Sequence, residues 1–186
     1  MAVIVVLYST MAKTTWTIDP THSEIGFKVK HMMFSNVSGR FEQFIASGEM
    51  EDDNLELSSF SFSAEASSIS TGNADRDGHL KGADFFDAEN HGQLTFQSSG
   101  MKKVSESDFE LTGDLTIKGV SKPVALKVEF GGIGQDPWGN TKAGFTLSGT
   151  INRKDWGLSW NAPLEAGGVL VSEDVRLNID VQMVKG

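Results

Sequence analysis

Apolar and polar residues alternate along most of the chain. In "HSEIGFKVKH", Ile25, Phe27, Val29 and His31 fall on one parity and Glu24, Gly26, Lys28 and Lys30 on the other. Phe60, Phe62 and Ala64 alternate with Ser61, Ser63 and Glu65, and Leu94 and Phe96 with Thr95 and Gln97. Longer rows run from Phe109 to Ile117, Val124 to Phe130, Phe145 to Ile151 and Val175 to Met183. Successive side chains on a strand point to opposite faces, so each row predicts a strand with one dry and one wet face. Turn-forming stretches such as "EDDN", "SES", "GGIGQDPWGN" and "EAGG" separate the rows. Without helical crossovers, consecutive strands pair antiparallel. Gly39, Gly113 and Gly149 interrupt the inner rows and predict bends of a coiled sheet. A register shift between Phe41 and Phe44 predicts a bulge, and the pairs Gly131–Gly132 and Gly167–Gly168 predict turns.

Only "STGNADRDGHLKGADFF" reads as helical. Asn73 can cap it, Asp75 and Asp77 complement its positive end, and Leu80 then faces the sheet. About eight strands with one dry face need a cover, and no second layer is available. Closure gives every apolar row a common interior and removes the edges. The expected fold is all-β: a closed antiparallel barrel of about eight strands with one short helix. Such a barrel either fills its interior with side chains or holds one small ligand. The twelve Phe, interspersed with Gly and Ala on the inner rows, leave room.

The 186 residues fit one domain, placed at 11–186, with residues 1–10 as an extension and Met11 as an alternative start. The apolar run Ala2–Tyr8 is shorter than the ~20 residues of a spanning helix. It also lacks a basic n-region, so a cytoplasmic location is expected, with the periplasm as the alternative. Residues 1–10 are expected to pair with a sheet edge or fill an apolar groove, because an exposed β-prone run invites aggregation. The net charge of −9 argues against nucleic acid and anionic lipid surfaces, which need clustered Lys and Arg. Zero cysteines exclude disulfides, thiol catalysis and Cys-based metal sites.

Four histidines remain as candidate chemistry. His22 and His31 are nine residues apart, and on one strand that odd spacing puts them on opposite faces, roughly 30 Å apart. They cannot share a metal, and no "HExxH" exists. His31 is either a satisfied core histidine or a polar handle inside an apolar pocket. His79 reads as a helix-surface residue or a carboxylate partner, and His91 as an exposed residue opening a strand. There is no G-x-S-x-G elbow and no phosphate loop. Among the few arginines, Arg76 (beside Asp77) and Arg153 are either bidentate locks at a barrel end or contacts for a polar head group.

Five blocks carry a family resemblance: "DPTHSEIGFKVKHMMFSNVSGRF", "ISTGNADRDGHLKGADFFD", "GDLTIKGVSKPV", "GTINRKDWGL" and "VSEDVRLNIDV". They resemble the YceI-like family, in its order, from Trp16 to about Val184. The resemblance implies a lipocalin-like barrel whose elongated cavity binds an amphiphile of polyisoprenoid or isoprenoid-quinone type. It further implies roles in transport or stress response, dimers in many members, and no firm enzymatic chemistry. No catalytic residue, metal or cofactor is therefore expected. The expected partners are an amphiphilic lipid and a second copy in a homodimer. The expected lining is Phe27, Val29, His31, Phe41, Phe62, Phe96, Leu115, Ile117 and Phe145. Phe85 and Phe86 would close one mouth, with Trp156 and Trp160 guarding the other. Arg76, Asp77 and Arg153 are the head-group candidates. Two other readings stay open: an enzyme acting on a lipid-linked molecule through His31 or the Arg76/Asp77/His79 group, and a filled barrel acting through its surface.

Overall fold

The structure, a computed structural model, describes residues 13–51 and 54–186. The expected pairing of residues 1–10 lies outside the described residues. Each alternating row forms a strand. In chain order these are β1 (Thr14–Ile18), β2 (Glu24–His31), β3 (Ser35–Phe41), β4 (Phe44–Met50), β5 (Ser59–Glu65) and β6 (Ile69–Ser70). Helix α1 (Ala74–Lys81) follows, then β7 (Gln93–Lys103), β8 (Asp108–Ile117), β9 (Val120–Gln135), β10 (Thr141–Asn152) and β11 (Val171–Lys185).

Eight strands make a closed antiparallel ring in the order β1-β4-β5-β7-β8-β9-β10-β11, and β1 returns to β11 through Trp16↔Lys185 and Ile18↔Met183. Strand β11 is long enough to serve two partners. Its end pairs with β1, while its earlier part, Val171 to Asp180, pairs with β2. Strands β2, β3 and β6 therefore branch off the ring at one end. Among the described residues strand β3 meets only the two-residue β6 on its other side, and α1 lies over this end. Asn73 Oδ1 accepts from Arg76 N at 2.9 Å, the cap that the sequence predicts. Lys118 Nζ reaches Ala83 O at 2.6 Å and ties the segment after the helix to the β8–β9 turn.

Three expectations are corrected. The shift between Phe41 and Phe44 is a corner between two strands, not a bulge: β3 pairs with β2 and β6, whereas β4 pairs with β1 and β5. The main-chain N–H groups of Glu42 and Gln43 at this corner donate to Ser68. Gly131–Gly132 is a bulge within β9, not a turn. Gly132 pairs with Gly144 and Phe130 with Phe145, so Gly131 is the extra residue, and Gly132 takes φ +103°, open to glycine. His22 precedes β2 in the turn Pro20–His22, 2.9 Å from Asp19 Oδ2, so it does not belong to the strand that carries His31. Gly167 and Gly168 do form a turn, at φ +87° and +92°. The inner glycines have a further reason beyond bending. The ring of Phe27 occupies the space that a Cβ on Gly39 would need, Phe96 does so at Gly113, and Leu126 at Gly149.

The core divides along the barrel axis. At the closed end Trp16, Met50 and Met183 are fully buried and pack with Leu111, Val128 and Phe145. At the helix end Ile25, Phe41, Ile69, Phe85, Trp156 and Leu158 pack together. Further along β2, the inward side chains Phe27, Val29 and His31 are only partly buried, because they border open space inside the barrel.

Candidate functional site

Beneath α1 lies a cavity of about 470 Å³. Its wall is built by the inner parities of β2 and β11, which pair in register through Phe27↔Leu177 and Ile25↔Ile179. Phe41 of β3, Leu94 of β7 and Leu115 and Ile117 of β8 face them. A second cavity of about 140 Å³ adjoins it toward the closed end and shares Ile25, Phe62, Leu115, Leu177 and Ile179 as walls. The two lie in succession between the helix and the Met183 end, with these apolar walls in common.

Of the expected lining, Phe27, Val29, His31, Phe41, Phe62, Phe85, Phe86, Leu115 and Ile117 border the larger cavity. Phe96 and Phe145 border the smaller one. Trp156 borders neither: it is 2% exposed, and its indole Nε1 donates to Leu115 O at 2.9 Å, so it belongs to the wall's packing. Trp160 lines the cavity instead, yet not at an opposite mouth. Its ring lies 4.6 Å from His79 and 5.5 Å from Phe85, so helix and tryptophan loop close the same end. The reason is the register of β11, which brings Val171 beside His31 at the helix end.

The polar groups also converge there. Thr71, Asp75, Arg76 and His79 line the cavity from the helix side, with His31 and Arg153 on the strand side. Asp77 does not; it accepts from Thr71 N at 2.9 Å and from the Thr71 hydroxyl. Arg76 donates through Nε to Thr71 Oγ1 at 2.7 Å and through Nη2 to Thr71 O at 2.9 Å, which holds the helix start to the strand before it. His79 Nε2 lies 3.1 Å from Asp84 Oδ2, and both side chains are partly exposed.

Arg153 is 5% exposed. It donates through Nε to Ser172 O at 2.9 Å, through Nη1 to Trp160 O at 2.9 Å and to Leu158 O, and through Nη2 to Val171 O at 3.4 Å. The expected bidentate lock is thus made with main-chain carbonyls. Burial pulls its pKa down, with Glu173 opposing, but a guanidinium keeps its proton in proteins. The Arg153 Cζ also stands 5.8 Å from the centre of the Phe85 ring.

Several lining residues escaped the sequence reading. His79 and Leu80 stand three and four residues after Arg76, and Asp75 stands four before His79, a helix-face signal that was present in the sequence. Leu158 and Leu170 come from an irregular loop without period, and nothing local marks them, whereas Trp160 in the same loop was expected at a mouth. Among the described residues no three His, Cys, Asp or Glu side chains group at metal-binding distance, and no helix is long and apolar enough to cross a membrane.

The YceI-like domain profile matches residues 16–183. A UPF0312 protein of Staphylococcus epidermidis is 39% identical over 172 residues, 91% of this chain and 96% of the relative. The crystal structure of the Campylobacter jejuni YceI protein superposes with a TM-score of 0.74 at 33% identity, covering 90% of this chain and 96% of that one. A polyisoprenoid binding domain from Saccharophagus degradans, implicated in plant cell wall breakdown, shares the fold at a TM-score of 0.65 and 14% identity, covering 94% of this chain and all of that one.

Proposed function

Since the chain belongs to the YceI-like domain family, we propose that it binds an amphiphilic lipid of the polyisoprenoid type and sequesters or transports it. The observation that carries this reading is the apolar cavity of about 470 Å³, followed by the smaller one toward the closed end, with polar groups gathered at one end only. Its volume lies in the range of small-molecule sites, which are apolar with a few placed polar groups. Burial of each methylene contributes ~0.8 kcal/mol, so a long chain is held without any specific bond. The head group is then placed at Arg76, His79, His31 and Arg153, because burying it unpaired would cost ~1–3 kcal/mol. The structural neighbour named as a polyisoprenoid binding domain supports the same ligand class.

Native mass spectrometry of the gently purified protein tests this directly, with a copurified lipid mass expected. Phe27→Asp puts a carboxylate on the cavity wall opposite Leu177. That variant should lose the copurified lipid while remaining folded by circular dichroism. Retention of the lipid at the level of the unaltered chain would overturn the assigned lining.

A further inference from the structure

Three exposed apolar residues stand together at the cavity mouth. The β2–β3 turn is Met32-Met33-Phe34, with exposures of 38%, 54% and 77%. Met32 and Met33 take left-handed backbone angles, φ 50° and 67°, in a turn where Asn and Gly are the usual residues. The turn is anchored at the rim. His31, next to it, lines the cavity, and Met32 N donates at 2.8 Å to the carbonyl of Leu170, another lining residue.

The outer face beside this tip is basic. Lys28 and Lys30 point outward from β2, and register puts exposed Arg176 of β11 directly beside Lys28. None of the three has an ion-pair partner among the described residues. Arg40, one row further, is 3.2 Å from Glu42. Of the acidic residues near the tip, Glu173 is tied to Lys154 at 2.8 Å, while Asp174 and Glu165 are exposed. Glu24 and Asp180 sit opposite each other at the far end of β2. Charge therefore changes sign along β2, from acidic at its start to basic at the tip. The net charge of −9 hides a local exception that the strand register assembles.

We propose that this tip and patch dock the cavity mouth on an anionic phospholipid bilayer. Met33 and Phe34 enter the acyl boundary while Lys28, Lys30 and Arg176 meet lipid phosphates, the combination of apolar insertion and basic attraction that peripheral proteins use. Docked this way, the mouth faces the membrane, and an insoluble chain could pass without crossing water. The purpose rests on the carrier reading, but the docking is measurable without it.

Sedimentation of the full chain with vesicles of phosphatidylcholine containing phosphatidylglycerol tests the docking, with pure phosphatidylcholine vesicles alongside. The unaltered chain should bind the anionic vesicles at least tenfold better and lose most of that binding in 0.5 M salt, a range where exposed charges are screened. The double variant Met33→Glu/Phe34→Glu should lose binding tenfold or more. Lys28→Glu/Lys30→Glu should lose the preference for anionic vesicles. Circular dichroism and copurified-lipid mass confirm that each variant is folded and loaded. Absence of binding to either vesicle overturns the proposal, as does binding that the tip variants do not change. A concentration-dependent dimer that the tip variant dissolves, with no vesicle binding, overturns it in favour of an interface between two copies. A chain that binds vesicles but carries no lipid leaves the docking intact and sinks the carrier reading instead.

Discussion

Removing the guanidinium of Arg153 would take this donor from the carbonyls of Leu158, Trp160 and Ser172 together, while Val171 O keeps Asn161 Nδ2 at 2.7 Å, around a residue that is 5% exposed. A buried polar group left unpaired costs ~1–3 kcal/mol, so Arg153→Met should destabilise the fold by at least about 2 kcal/mol, read from urea unfolding midpoints. Arg153→Lys should recover less than half of that, because one ammonium cannot span the fork of acceptors. Full recovery by Lys would mean that charge alone matters there. At this scale parity was readable from the sequence: Phe27, Val29 and His31 face inward as the alternation requires. Which of Trp156 and Trp160 reaches the cavity was not readable. Four residues apart in an irregular loop, they differ only in what stands opposite, Leu115 O for one and His79 with Phe85 for the other.

The turn after β1 meets β10 and β11 at Asp19, whose main-chain N–H donates to Gln182 O at 2.8 Å. Its carboxylate accepts from Thr21 Oγ1 at 2.6 Å, lies 2.9 Å from His22 Nδ1 and accepts from Lys142 Nζ at 3.0 Å. The Thr21 hydroxyl first, then His22 and Lys142, hold its pKa well below the ordinary carboxylate range. A carboxyl group whose folded pKa is depressed stabilises the fold fully above its unfolded pKa of ~3.9, and that contribution is lost progressively as pH falls from there through the lower folded value. Asp19→Asn should therefore lower the melting temperature at pH 7 by more than it does at pH 2. An equal deficit at both pH values would show that the charge plays no part. Among the elements, α1 was readable because its cap is local: Asn73 and Arg76 settle it between themselves. The corner at Phe41–Phe44 was not, since its meaning depends on which strands β3 and β4 find as partners.

On the proposed carrier reading, the closed ring and the divided core together set the length of ligand that fits. Ile179 borders both cavities. Ile179→Trp should block passage to the smaller cavity and shift copurified lipids to shorter chains in native mass spectra. An unchanged mass distribution would show that the ligand never enters the deeper part. By itself the sequence determined strands β2, β5 and β7 to β11, the helix with its cap, the inward parity and, through the want of a covering layer, closure. Those follow from periodicity and local hydrogen bonding, which neighbours along the chain decide. Only the tertiary structure decided that β11 serves both β1 and β2, that helix and tryptophan loop crown the same mouth, and that Arg153 binds carbonyls. It also set Lys28 beside Arg176, a local positive charge inside an acidic chain. Each of these depends on register between strands far apart in sequence, and register is a property of the assembled sheet.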